Sequence, residues 1–196
     1  MTVLLLRSQA MSTEVTALLE SRGALLRGHF QLASGRHADT YVEKFRILQW
    51  PDLTGELCGQ IADHFRDLGA TTCAGPTTGG IILAYETARH LGLPSIIAER
   101  RDEGPGREFK RGFAIGPGDR VLVVDDVLTT GGSVRDVIDA VRERGAEVVG
   151  VGMLVDRTNG ATDFGVPFFA CLAIEIASWA PDDCRLCRDG VPLTVT

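Results

Sequence analysis

From Thr71 onward, apolar residues arrive in short continuous runs, separated by stretches where they recur every three or four positions. The runs are Thr71–Gly75, Ser95–Glu99, Val121–Val124, Glu147–Val155 and Phe168–Ile174, with a shorter one at Phe113–Ile115. Unbroken apolar runs of this length predict strands buried on both faces. Between them, Gly80–Leu91 reads as a helix ended by Gly92, and Gly132–Arg144 as a helix with Val134, Val137, Ile138 and Val141 on one face. Strands alternating with helices predict an α/β fold, a central parallel sheet flanked by helices. Upstream, a helix begins at Pro51, carries Leu53, Leu57, Ile61, Phe65 and Leu68, and stops at Gly69. Residues 28–50 read as strand-like and polar, with a turn at SGRHAD. A first helix follows Ser12/Thr13, with Val15, Leu18 and Leu19 on one face, and fades by Gly23.

In a parallel sheet, ligands sit outside the carboxyl ends of the strands. That rule directs attention to residues 75–80, 99–111, 125–133 and 156–160. The third loop is the most informative. VLVVDDVLTTGGS (Val121–Ser133) runs from a buried strand into Asp125 and Asp126, then into Thr129, Thr130, Gly131, Gly132 and Ser133. Glycines allow a tight turn and close approach of a ligand to the backbone. The amides at the start of the next helix, with three hydroxyls, make a place for a phosphate. The carboxylates can accept hydrogen bonds from vicinal sugar hydroxyls or hold hydrated Mg²⁺. A capped turn beside a solvated acid pair is the bland alternative. Acids and cradle in one loop favour a phosphorylated ribose over it. The lysine of a P-loop is missing, and the dinucleotide glycine pattern is not present.

Composition narrows the class further. The 196 residues suit one domain with a small appendage. A net charge of -6 argues against nucleic acid as a partner. The apolar runs fall far short of the ~20 residues that span a bilayer, so no membrane is expected. The four-residue apolar run before Arg7 makes a poor signal peptide, and Met11 is an alternative start. Of five cysteines, Cys58, Cys73 and Cys171 read as small core residues. Cys184 and Cys187 form a lone C-x-x-C without an evident second ligand pair, which favours a reduced structural turn over a metal or redox site. The cytosol is the expected compartment.

The thirteen residues from Val121 to Ser133 resemble the phosphoribosyl-diphosphate (PRPP) signature of the type I phosphoribosyltransferases. Within that family, HFQLASGRHADTYVEKFRI (His29–Ile47) is similar to the N-terminal segment of the orotate phosphoribosyltransferases. GPTTGGIILAYETARHLG (Gly75–Gly92) resembles their diphosphate loop and following helix, and CRLCRDGVPLTV the tail of one bacterial branch. The resemblance implies the type I fold with a small hood subdomain built from the N-terminal segment and the C-terminus. The expected division is 1–50 for extension and hood segment, 51–175 for the core, and 176–196 for a tail packing on the hood. It also implies transfer of ribose 5-phosphate from PRPP to orotate, giving orotidine 5'-phosphate in pyrimidine biosynthesis, with Mg²⁺ as cofactor.

Roles follow from the same resemblance. Asp125 and Asp126 meet the ribose hydroxyls, with Mg²⁺ near them through PRPP, and Asp126 is also placed among the catalytic residues. Thr129, Thr130, Gly131, Gly132 and Ser133 grip the 5-phosphate, and Val127 and Leu128 between the acids and that turn are also counted as PRPP-binding. Thr78, Gly79, Arg100 and Arg101 serve the diphosphate. Thr129 and Arg157 face orotate, whose carboxylate and imide carbonyls suit a guanidinium; a surface pairing of Arg157 with Asp156 is the alternative. Arg36 and Tyr41 are weaker candidates. ERRDEGPGREFKRGF (Glu99–Phe113) is expected to be a lid, shared between the subunits of a homodimer, with Lys110 and Arg111 catalytic. The chain departs from many relatives at Ala33 and Gly79, where they carry lysines, and its lid offers only Lys110 and arginines. A transferase for a purine or another pyrimidine, a non-catalytic PRPP sensor, and a nucleotide-binding module without turnover are the rival readings.

Overall fold

In the computed structural model, which describes residues 13–158 and 160–196, the chain runs through six helices and ten strands among the described residues. Met11 and Ser12 lie outside them. The elements are, in chain order, α1 (residues 13–21), β1 (Leu25–Gln31), β2 (His37–Val42), α2 (Lys44–Leu48), α3 (Pro51–Phe65), β3 (Thr72–Pro76), α4 (Gly79–Leu91), β4 (Ser95–Arg100) and β5 (Arg107–Phe109). They continue with β6 (Arg120–Leu128), α5 (Gly132–Glu143), β7 (Glu147–Asp156), β8 (Phe168–Ala173), β9 (Ser178–Trp179), α6 (Arg185–Arg188) and β10 (Thr194–Val195). These divide into two units, Met1–Ile47 with Ile174–Thr196, and Leu48–Ala173.

The smaller unit holds a four-stranded sheet of order β10-β1-β2-β9. The hairpin of β1 and β2 pairs Leu25 with Val42 and Gln31 with His37, and a bulge interrupts it between Arg27 and Phe30. The C-terminal residues add strands at both edges: Phe30 pairs with Thr194 in parallel, and His37 with Trp179 in antiparallel register. Val15, Leu19, Leu25, Phe30, Val42 and Ile47 are buried in it. The strand-like reading of residues 28–50 fails in its last third. There the Glu43 side chain accepts a hydrogen bond from the Phe45 amide at 3.1 Å and starts α2.

The larger unit holds a six-stranded sheet of order β5-β4-β3-β6-β7-β8, parallel throughout except for β5. Apart from half-buried Val127, the valines and leucines of β6 and β7 are buried on both faces, as their unbroken apolar runs require. Val134, Val137, Ile138 and Val141 of α5 join Val121, Val123, Val151 and Met153 in one cluster. The alternate residues face the other way. There a Cβ at Gly150 would meet the Phe65 ring at 2.4 Å, and one at Gly152 would meet Ile61 at 2.4 Å, so α3 lies directly on the sheet backbone.

Two expectations are corrected. Phe113–Ile115 is not a strand; Phe113 and Ile115 pack in a loop against the α5 cluster. The edge strand is instead Arg107–Phe109, whose residues alternate buried, half-buried, buried and pair with Ala98–Arg100. Strand β6 does not end before the acids but runs through Asp125 and Asp126 to Leu128, paired with β7 as far as Asp156. The chain proceeds from β3 to one side of the sheet and returns through β6 to the other. This reversal opens a crevice at the carboxyl ends of β3 and β6.

Candidate active site

Asp125 and Asp126 sit in that crevice, both buried, at 6% and 5% exposure. Each carboxylate accepts the amide hydrogen of the next residue: Asp126 N to Asp125 Oδ1 at 2.8 Å, and Val127 N to Asp126 Oδ1 at 2.7 Å. These local bonds fix the orientation of the carboxylates. The loop after β3 comes down onto them. A Cβ at Gly79 would stand 2.2 Å from Asp126 Oδ2, and one at Gly80 would stand 3.1 Å from Asp125 Oδ1 and 2.4 Å from Pro76 Cδ. A Cβ at Gly75 would meet the Gly80 carbonyl at 2.0 Å. All three positions need glycine because backbone and carboxylate approach so closely. Thr78, at the N-cap of α4, is exposed, and the Thr77–Thr78 peptide is cis.

The hydroxyl-rich turn follows β6. Thr129 and Thr130 are exposed at its tip, and Gly131 takes φ 79°, a left-handed conformation that glycine adopts without strain. Helix α5 then starts without a side-chain cap. Its first-turn amides have no partner within the helix and point toward an incoming anion. Val127 is half-buried; Leu128 is 1% exposed with its side chain in the core, so only its backbone faces the turn. The Leu128 carbonyl accepts the Arg157 amide at 3.0 Å, which sets the loop after β7 beside Thr129. Asp156 is committed to shaping that loop. It takes the Thr158 amide and hydroxyl at 2.7 Å each and the Gly160 amide at 2.8 Å.

Arg107 ties the two phosphate-facing loops together. It is 5% exposed and donates to Thr77 Oγ1 and the Ala98 carbonyl at 2.9 Å, to the Thr77 carbonyl at 3.3 Å, and to Ser133 Oγ at 3.4 Å. Its Nε is buried without a hydrogen-bond partner. Burial pushes the guanidinium pKa down while Asp125 and Asp136 pull it up; at neutral pH it stays a cation. A cavity of about 490 Å³ opens here, lined by Arg100, Arg101, Arg107, Gly132 and Ser133. In the sequence Arg107 is one of several cations of the charged Glu99–Phe113 loop. The signal available was its alternation with Phe109, which puts both side chains inward from an edge strand.

The expected lid is a hairpin formed by β4 and β5 with its tip at residues 101–106. Arg101 pairs with Glu143 of α5 and donates to the Arg107 carbonyl at 3.2 Å. Lys110 is held by Asp102 at 2.6 Å and Glu108 at 3.4 Å. Arg111, at φ 56°, makes a two-pronged pair with Glu99 at 2.8 and 2.9 Å. The Asp102 carboxylate beside Lys110, and Glu99 beside Arg111, hold both pKa values above their usual range. The structure thus sets Gly79 and Gly80 against Asp126 and Asp125, lines one cavity with Arg100, Arg101, Arg107, Gly132 and Ser133, and pairs Lys110 and Arg111 with acids of the hairpin.

Comparison with known proteins agrees with this geometry. Residues 46–187 match the model of the phosphoribosyl transferase domain. The orotate phosphoribosyltransferase of Pelotomaculum thermopropionicum is 49% identical over 91% of this chain and 93% of its own. That of Chlorobaculum parvum is 46% identical over 93% of each. Among solved structures, an orotate phosphoribosyltransferase from Aeropyrum pernix aligns with a TM-score of 0.69 at 30% identity, over 82% of this chain and 93% of that one.

Proposed function

The chain belongs to the phosphoribosyl transferase domain family, and from that premise we infer that it is an orotate phosphoribosyltransferase of pyrimidine biosynthesis. It moves ribose 5-phosphate from PRPP to N1 of orotate and releases diphosphate. The observation that carries the reading is the convergence at one crevice of a buried acid pair, a glycine-lined loop in van der Waals reach of it, and an uncapped helix start braced by Arg107.

In this reading Asp125 and Asp126 bind the ribose diol, and the amides and hydroxyls from Thr129 to Ser133 hold the 5-phosphate. The backbone of residues 75–80 with Arg100, Arg101 and Arg107 faces the diphosphate. Thr129 and Arg157 contact orotate. The bond from C1 to the diphosphate oxygen breaks ahead of attack by N1, with inversion at C1 and an oxocarbenium-like transition state. No side chain acts as a covalent nucleophile. The chain's work is to position two anions against each other and to neutralise charge growing on the leaving group. The hard carboxylates of Asp125 and Asp126 fit Mg²⁺, which when bound screens the diphosphate. The β4–β5 hairpin acts as a lid; its surface ion pairs cost little to exchange for substrate phosphates. A homodimer sharing that lid and a cytoplasmic location complete the proposal. No described helix is long and apolar enough to cross a membrane.

The test is a base panel. With PRPP and Mg²⁺, diphosphate release should require orotate and fail with uracil, adenine and hypoxanthine. Release with a purine, or with no base tested, overturns the assignment.

A further inference from the structure

We propose that His29, His37, Cys184 and Cys187 form a structural zinc site in the smaller unit. The C-x-x-C reads in the sequence as a structural turn because no second pair of ligands stands near it. The fold supplies that pair from β1 and β2, with Cys184 lying 155 residues from His29 along the chain. The four ligand atoms all lie within 4.8 Å of one another. Cys184 Sγ is 3.4 Å from His29 Nε2, and Cys187 Sγ is 3.7 Å from His29 Nε2 and 3.3 Å from His37 Nδ1. The two ring nitrogens are 3.0 Å apart. With zinc bonds of ~2.3 Å to sulfur and ~2.05 Å to nitrogen, the edges of a tetrahedron come to about 3.3 Å for N···N and about 3.5 Å for S···N. These four separations match those edges to within about 0.4 Å.

Hydrogen bonding alone does not account for the cluster. The Val191 carbonyl, 2.8 Å from His29 Nδ1, can only accept, so Nδ1 carries the proton and Nε2 presents its lone pair inward. That single lone pair faces three groups at once, His37 Nδ1 and both sulfurs. One lone pair accepts one good hydrogen bond; three polar neighbours converging on it indicate a shared cation instead. The contact of Nδ1 with a backbone carbonyl is also the arrangement that orients a metal-bound imidazole. Two thiols and two imidazoles select zinc over Mg²⁺ or Ca²⁺. On binding, each thiol gives its proton to solvent and the two thiolates neutralise the ion. All four positions are filled by protein, so the site is structural and not catalytic. His29 and His37 are 2% and 5% exposed and Cys184 is fully buried, while Cys187 is exposed and forms the outer corner of the site. The metal fastens the tail to both strands of the β1–β2 hairpin. A unit below the ~80 residues at which a core suffices gains from such a staple.

The full chain, purified without a polyhistidine tag or chelator and with reductant present, should carry one zinc per chain by plasma mass spectrometry. Protein produced in cobalt should show the intense visible bands of tetrahedral, thiolate-bound Co²⁺. Cys184→Ser with Cys187→Ser, and separately His37→Ala, should lose more than nine-tenths of the metal. Removing it from the native chain should lower Tm by more than about 5 °C. Metal-free native protein, an octahedral cobalt spectrum, or full zinc retention in the folded variants would overturn the site. If the variants fail to fold, the metal content and cobalt spectrum of the native chain decide.

Discussion

A methyl group at Gly79 has nowhere to go: it would stand 2.2 Å from Asp126 Oδ2 and 3.3 Å from Leu48 Cδ1. Gly79→Ala must therefore push the carboxylate or the start of α4 aside by about 1 Å, a displacement that costs on the order of 10²-fold in turnover when it misplaces a reacting group. The variant should stay folded and lose at least that much kcat/KM, measured by orotidine 5'-phosphate formation. The acid pair yields a second expectation. Each aspartate uses one oxygen for the following amide, and an asparagine oxygen can keep that bond. Asp125→Asn with Asp126→Asn should thus retain near-native stability while losing more than about 10³-fold in activity; a fully active double variant would remove the ribose assignment. The pair was legible from sequence because two adjacent acids within a valine-rich strand are costly without a ligand. Arg107 was not legible. A cation in a charged loop has the same letter whether it points out or in, and only pairing of β5 with β4 turns it inward.

At the scale of elements, the β4–β5 hairpin shows how far periodicity reaches. Helices α4 and α5 lie within a residue of their expected limits, since each has a clear apolar face and a glycine at an end; α3 starts at Pro51 as expected but ends at Phe65, the expected last turn Arg66–Leu68 tightening to a 3-10 turn before Gly69. The hairpin defeats that reading because a three-residue strand carries too short a pattern, and its buried member is an arginine. Phe113–Ile115, more apolar, was the better strand by composition and became a loop covering the core. The hairpin's ion pairs bear on its function as a lid. Lys110 is paired with Asp102 and Glu108, all on the hairpin, and the pairs are partly exposed. Exposed pairs are weakly held, so Lys110 can leave them for diphosphate without unfolding the strand. Lys110→Ala should lower kcat by about 10-fold or more while changing the KM for PRPP less, because the interaction grows as charge leaves C1. Equal losses in both would make Lys110 a ground-state contact, and an unchanged kcat would move the role to Arg111.

On the scale of the whole molecule, the topology reversal between β3 and β6 was implicit in the alternation of strands and helices, but strand order is a property of pairing and has no single-residue sign. The meeting of His29 and His37 with a cysteine pair from the far end of the chain was likewise hidden, because contacts across such a separation leave no local pattern. The three remaining cysteines were legible as core residues, and their burial makes stability depend on pH. Desolvation pushes the thiols of Cys58 and Cys73 up to about 12, and burial raises that of Cys171 as well. In the unfolded chain a thiol loses its proton near pH 8.5. Above that value the unfolded state binds fewer protons than the folded one, so unfolding becomes more favourable as pH rises. Stability should hold from pH 7 to about 8.5 and then fall, each buried thiol contributing up to about 1.4 kcal/mol per pH unit. Urea midpoints between pH 9 and 10.5 measure the slope, and Cys73→Ala should flatten it by one thiol's share even if its stability at pH 7 is lower. An identical slope in the variant would show that these thiols titrate alike in both states and that the sheet's interior admits water.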